Sequence, residues 1–271
     1  MVTLLDAHAD ISMCYELYPN LLEGLSVDDA KEAVSLLQQF PKVREAAKVM
    51  PTKGLASLVK WAPRARLSMS DLARIIEHHL VDGKAFEEAG DRFGLIRRIG
   101  VNSASVSGKR FWGAKCSLDF DGYREAFPNA RYVNMIRDGR DVLSSQLNTG
   151  AFNPDPTALG IAWAKNHRKF RKFVDSEKIL GYEVFYEELA NNPKKELKKI
   201  FDFLEMPYDD SILKFNQQDL NIYEVGHISM PNLVNPINPS KIGRWKTDLS
   251  EEDLKGFMAV TSDAMSEFGY V

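Results

Sequence analysis

Apolar positions fall into two rhythms along this chain. In the first they recur every three or four residues, the spacing of amphipathic helices. Between about Ser26 and Leu80 this pattern repeats: Ala30, Ala33, Val34 and Leu37 follow Ser26, which can form a capping box with Asp29, and Pro41 ends the run. Similar stretches cover 43–50, 54–61 and 70–80, the last with Leu72, Ile75, Ile76 and Leu80 on one face. Further helices are predicted over 156–173, with Leu159, Ala162, Trp163 and Asn166 along one side, over 193–206, with Leu197, Ile200, Phe201 and Leu204 inward, and from about Ser250 to Phe268. Residues 2–5 read as the end of a helix.

The second rhythm is short and nearly unbroken, as expected of strands covered on both faces. Residues 6–13 form a turn and a short apolar strand leading to Glu16; 111–115, 131–136 and 178–186 give three more. Such strands interspersed with helices predict an α/β fold with a central parallel sheet and helices on both faces. At 271 residues the chain is long enough for one such domain, residues 1–271, with a helical insertion at about 20–105.

Charge and cysteines narrow the function classes. Lys and Arg number 35 against 38 Asp and Glu, for a net charge of −3, so the broad basic face of a nucleic-acid binder is not expected. Cys14 and Cys116 are too few for a disulfide framework and lack metal-ligand spacing, and His78-His79 has no third ligand nearby, so no metal is expected. A reducing, cytoplasmic setting is the simpler expectation. No run of about eighteen apolar residues and no basic-then-apolar leader occurs, so no membrane segment is expected.

The candidate chemistry centres on residues 131–145, where the strand Tyr132, Val133, Met135, Ile136 runs into a helix start marked by Asp138, Gly139 and Asp141. In open α/β sheets ligands bind beyond the carboxyl ends of strands, and a helix amino terminus favours phosphate. Arg137 lies at that end with a permanent planar charge, and Ser145, four residues after Asp141, shares its helical face. The plainer reading pairs these arginines with Asp138 and Asp141. Lys115 ends a second strand and is expected to face the same crevice as Arg137, whereas Glu16 alone would be an ordinary surface carboxylate. Ser107-Gly108-Lys109 does not complete a G-x-x-x-x-G-K-[ST] loop and is read as a simple turn, and the segment from Gly226 to Pro239 as a long surface loop.

Taken together, Arg137 with Ser145, Tyr186 in Tyr-Glu-Glu-Leu, and Ser240 to Lys246 with Gly243-Arg244-Trp245-Lys246 resemble the sulfotransferase family. Leu5-Asp6-Ala7-His8 followed by Glu16 is similar to the segment of its tyrosylprotein and bacterial branch that carries a catalytic glutamate, and Trp112-Gly113-Ala114-Lys115 to the strand with its sulfuryl-contacting lysine. The resemblance implies a three-layer sandwich of the P-loop nucleoside-triphosphate-hydrolase type and 3′-phosphoadenosine 5′-phosphosulfate as co-substrate. It further implies Glu16 as base and Lys115 as sulfuryl contact, with Arg137 and Ser145 on the 3′-phosphate, Tyr186 near the adenine, and Lys241, Gly243 and Arg244 closing over the 3′-phosphate. The acceptor would be a hydroxyl of a sugar, peptide tyrosine, lipid or small alcohol, and the oligomeric state is open. Ser117 stands where the cytosolic branch places a histidine base. The family's first strand and Gly-rich phosphosulfate loop are expected immediately before Val2 and are read as missing. The alternative reading is therefore an N-terminally truncated, non-catalytic nucleotide-binding remnant; a small-substrate P-loop kinase is disfavoured by the lack of a Walker lysine motif.

Overall fold

The computed structural model describes residues 1–81, 86, 89–116, 120–149, 154–177, 179–218 and 233–271. Ser117 and the first half of the loop from Gly226 to Pro239, residues 226–232, lie outside the described residues. The chain divides into two compact units, residues 1–128 with 214–235 and residues 129–213 with 236–271. Each contains one two-stranded parallel ladder. The expected parallel pairing is therefore seen, but as two separate pairs rather than one continuous ladder among the described residues.

In the first unit α1 (Val2–Asp6) leads into β1 (Ile11–Glu16), which pairs with β2 (Phe111–Lys115). Between the strands run α2 (Val27–Gln39), α3 (Val43–Val49), α4 (Lys53–Trp61), α5 (Met69–Val81) and α6 (Ala89–Val106). The capping box at the start of α2 forms as expected: Asp29 N–H donates to Ser26 Oγ at 3.0 Å, and Ser26 N–H to the Asp29 carboxylate at 3.1 Å. Leu22, Leu37, Leu55, Leu58, Leu72 and Ile76 bury the inner faces of these helices in one core.

Helix α6 falls within the expected helical insertion but was not singled out as an element of its own. It lies across β1 and β2 and buries Phe93, Ile96 and Ile99. A Cβ at Gly100 would stand 2.2 Å from the Trp112 indole, and one at Gly94 would reach within 3.3 Å of His79, so both glycines permit close approach. The helix α7 (Phe120–Ala126) was likewise not expected; its Tyr123 donates to the carbonyl of Leu17 at 3.1 Å, just beyond β1.

Lys109, which tempts a phosphate-loop reading, is structural. Its ammonium donates to the carbonyl of Ile11 at 2.9 Å and sits 3.8 Å from buried Asp6, whose carboxylate also accepts from Met13 N–H (2.8 Å) and Arg66 (2.6 Å). Gly108 takes φ +65° in the turn after α6, as a glycine can at low cost.

In the second unit β3 (Tyr132–Ile136) pairs with β4 (Gly181–Phe185), Tyr132 opposite Gly181 and Ile136 opposite Phe185. Strand β4 is shorter than the predicted 178–186, because Tyr186 already opens the helix α10 (Tyr186–Asn191). Around the ladder lie α8 (Gly139–Thr149), α9 (Pro156–Glu177), α11 (Pro193–Phe203), α12 (Trp245–Asp248) and α13 (Glu251–Glu267). The inner stripe of α9 is Trp163, Ala164, Phe170 and Phe173 rather than one including Ala162, which is exposed, because α9 packs against both β3 and α13 and its buried face is wider than one row. Gly139 admits the rings of Phe257 and Trp163, which a Cβ would meet at 2.5 and 3.0 Å.

His167 on α9 carries a measurable consequence. Its ring packs on Trp163 and Phe268, with Nδ1 3.3 Å from the Asn134 amide. Burial pushes its imidazole down to about 4, with Glu183 opposing the shift and Arg171 adding to it. Between that value and the ordinary one near 6.5 the unfolded chain binds a proton that the folded chain refuses, so stability falls as pH falls. Urea unfolding is expected to show a loss of about 2 kcal/mol from this group between about pH 7.5 and pH 5. The His167→Gln variant should lack that component of the acid limb.

No described helix is long and apolar enough to cross a membrane, and no group of three or more potential metal ligands occurs among the described residues.

Candidate functional site

Glu16 and Lys115 meet at the carboxyl ends of β1 and β2. The ladder runs regularly from Ile11 opposite Phe111 to Cys14 opposite Ala114, then shifts by one residue so that Glu16, and not Tyr15, lies opposite Lys115. Lys115 Nζ donates to Glu16 Oε1 at 2.8 Å. The carboxylate side chain is 20% exposed and the lysine 49%, so the pair opens to solvent on the lysine side.

Tyr18, two residues on in extended backbone, belongs to the same cluster. Its ring is edge-on to Trp61 at 5.8 Å. Burial pushes its hydroxyl above the usual phenol range, with Lys115 opposing and Glu16 reinforcing the shift. Sequence reasoning missed Tyr18, although its spacing from Glu16 was a usable signal. The cluster offers a proton acceptor and a cation side by side, the minimum for deprotonating a hydroxyl beside an anionic group.

The second constellation is built on β3 and α8. Arg137 follows the last residue of β3, its carbonyl held by Trp163 Nε1 at 3.0 Å. Its guanidinium lies over the Tyr186 ring, 4.6 Å from the centroid, donates from Nη2 to the carbonyl of Lys241 at 2.7 Å, and stands 3.8 Å from Asp141. Arg137 Nε is buried without any hydrogen-bond acceptor among the described residues. Ser145, half-buried on α8, makes no side-chain hydrogen bond among them either; it is the neighbouring Ser144 that donates to Asp248, at 2.7 Å.

The helix terminus itself contributes less to an anion site than its position suggests. Asp138 caps α8 by accepting from Arg140 N–H at 2.9 Å, and its own N–H donates to Glu187 at 2.9 Å. The plainer pairing expected of the Arg-Asp-x-Arg-Asp turn holds for Arg140, which grips Asp138 at 2.7 Å, and for Arg137, which is ion-paired with Asp141 at 3.8 Å; the Nε of Arg137 is nonetheless unmatched among the described residues.

Residues 241–248 rest on α8. Buried Asp141 accepts from Gly243 N–H at 2.7 Å and Trp245 N–H at 3.0 Å, and Arg140 lies 4.0 Å from the Trp245 ring centroid. Arg244 pairs with Asp248 at 2.9 Å. Of the predicted phosphate-closing residues, Lys241 thus meets Arg137 through its carbonyl, Gly243 directs its N–H to Asp141, and Arg244 is held by Asp248. Asp141 as organiser of this turn was not foreseen; its partners lie about a hundred residues away in sequence and left no local trace.

Residues 1–210 fit the model of the Sulfotransferase family, and the chain belongs to that family. Among curated proteins it is similar to "Protein-tyrosine sulfotransferase A" of Caenorhabditis elegans, 28% identical over 158 residues that cover 54% of this chain and 40% of that protein. It is also similar to the "Protein-tyrosine sulfotransferase" of Drosophila melanogaster, 23% identical over 159 residues covering 54% and 31%. The chain spans about half or less of the length of these relatives. In fold it is similar to the sulfotransferase domain of the curacin biosynthetic pathway, with TM-score 0.54, 18% identity, and coverage of 99% of this chain and 92% of that one. The sulfotransferase domain of the Synechococcus PCC 7002 olefin synthase gives TM-score 0.55 and 16% identity, with coverage of 93% and 95%.

Proposed function

We propose that this sulfotransferase moves a sulfuryl group from 3′-phosphoadenosine 5′-phosphosulfate to a hydroxyl, and that Arg137 with Ser145 binds the donor's 3′-phosphate. The observation that carries the reading is the buried Arg137 Nε without an acceptor, at the carboxyl end of a parallel strand. A buried guanidinium N–H without a partner is costly, and a phosphate oxygen is the acceptor best matched to it. The half-buried Ser145, eight residues on along α8, is assigned to the same anion, and Tyr186 supplies an aromatic face beside Arg137.

In this reading Glu16 accepts the proton as the acceptor oxygen bonds to sulfur. The bond from sulfur to the leaving phosphate oxygen breaks, and its electron pair stays on that oxygen. Lys115, ion-paired with Glu16 before substrate binds, redirects the hydrogen bonds of its ammonium to the sulfuryl oxygens and so leaves the carboxylate open to the incoming proton. A phenolic hydroxyl on a protein or peptide is the first acceptor class to try, since the relatives named above are protein-tyrosine sulfotransferases.

The direct test is ligand-induced stabilisation followed by transfer. Adenosine 3′,5′-bisphosphate at a hundredfold excess over its Kd should add about 2.7 kcal/mol to the stability of the chain, read as a rise in Tm. Radiolabelled donor should then pass its label to a tyrosine peptide, a sugar or a simple alcohol. Absence of both stabilisation and labelling in folded protein rejects the proposal.

A further inference from the structure

One side chain on α8, two backbone N–H groups and one carbonyl form a chain of contacts that ends at Arg137. Asp141, 1% exposed, is the centre of it. Its two oxygens receive the N–H groups of Gly243 and Trp245, which fixes the turn in which Gly243 adopts φ +74°. The same turn presents the Lys241 carbonyl to Arg137 Nη2 at 2.7 Å. With that hydrogen bond on one edge and the Tyr186 ring against its face, the guanidinium is held in one orientation and its Nε remains unmatched.

We infer that Asp141 is a positioning residue for 3′-phosphate recognition: by anchoring residues 241–245 it holds Arg137 aimed before any ligand arrives. The inference rests on the reading of Arg137 as the 3′-phosphate site. Its physical content is preorganisation, since a donor already fixed by neighbouring dipoles loses little freedom when the anion binds. It also changes the role of residues 241–245 from a flap that closes to a wall that is already in place. The rest of that wall is fastened independently, through Asp248 to Ser144 (2.7 Å) and Asn148 (2.8 Å) and through the Arg140–Trp245 contact. Loss of Asp141 should therefore loosen the turn without unfolding the unit.

The test compares two nucleotides that differ only at the recognised group, adenosine 3′,5′-bisphosphate and adenosine 5′-phosphate, by calorimetric titration of the whole chain. The wild-type protein should prefer the bisphosphate. In Asp141→Asn one of the two N–H groups faces an amide N–H instead of an oxygen, and the preference should fall about tenfold while binding of adenosine 5′-phosphate changes little. Gly243→Ala gives a second, separate probe. A Cβ there meets nothing within 4 Å, so the substitution acts only by straining the +74° backbone of the turn, and it should reduce the same preference with Asp141 intact.

A variant that folds less stably but keeps the wild-type ratio of the two affinities would show a merely structural role and overturn the inference. Should Asp141→Asn fail to fold, Gly243→Ala decides on the same criterion. If the wild-type chain itself shows no preference for the bisphosphate, the assignment of Arg137 fails and this inference falls with it. If the wild type discriminates and both variants discriminate equally well, only the role of Asp141 is rejected.

Discussion

Replacing Glu16 by glutamine is expected to slow sulfuryl transfer by about 10² to 10⁴, the contribution of a positioned general base. Glutamine keeps the length and shape of the side chain, and its amide oxygen can still accept from Lys115 Nζ, now 2.8 Å from Glu16 Oε1. What is lost is the capacity to take a proton and the charge that pairs with the lysine. Binding of adenosine 3′,5′-bisphosphate should be unchanged, because the residues proposed to hold it, Arg137 and Ser145, belong to the other compact unit. Single-turnover transfer of labelled donor to the accepted hydroxyl, run beside calorimetry with the bisphosphate, separates the two effects. Retention of more than about a tenth of the wild-type rate would remove Glu16 as the base.

Changing Arg137 to alanine should cut the stabilisation by adenosine 3′,5′-bisphosphate from about 2.7 kcal/mol to about 1.4 kcal/mol or less at the same ligand concentration. A charge-assisted hydrogen bond is worth about 1.5 to 3 kcal/mol, so a guanidinium serving a phosphate through one or two such bonds accounts for at least a tenfold and up to a hundredfold or greater change in Kd. The Arg137→Lys variant is the more informative comparison. It keeps the charge but has neither the planar face that lies over Tyr186 nor the Nε donor left unmatched in the structure. Binding should therefore be weakened in the lysine variant almost as much as in the alanine variant. Near-normal binding by the lysine variant would mean that charge alone suffices and that the unmatched Nε has no part in recognition. In the absence of ligand both variants keep the Trp163 hydrogen bond, which is to the backbone of Arg137. The alanine variant loses the side-chain contacts to Lys241, Tyr186 and Asp141 and should melt below the wild type, so the ligand-induced rise is compared within each variant.

Much of this organisation was legible in the chain. Strand-to-helix junctions announce themselves because a buried strand such as 132–136 must be apolar on both faces while the turn after it needs Asp and Gly. The start of α2 was readable for a similar reason: Ser26 and Asp29 satisfy each other's backbone within three residues. Helix α6 was not read as an element of its own although Phe93, Ile96 and Ile99 bury its inner face; Gly94 and Gly100 interrupt that face where it approaches His79 and Trp112. Tyr186 was placed at the end of a strand, yet it begins a helix, a difference settled by where the β3–β4 hydrogen bonds stop. At the candidate site, residue types and strand ends could be named, but not the contacts that orient them. That Arg137 meets the carbonyl of Lys241, or that Asp141 holds Gly243 and Trp245, depends on partners brought together only by the folded chain.

The one-residue shift near the end of β1 has a bearing on how this protein can be compared and altered. The shared edge of β1 and β2 carries an acid opposite a lysine only because the backbone accommodates an additional residue between Cys14 and Glu16. A regular continuation of the ladder from Cys14 would instead bring Tyr15 opposite Lys115 and move the carboxylate one position along, toward the other face. In an alignment of relatives, a one-residue gap at the position of Tyr15 is therefore no loss of the pair, since it leaves a glutamate opposite the lysine in a regular ladder. The pairing of acid and lysine at this strand end depends on the irregularity of β1 as much as on the residue types.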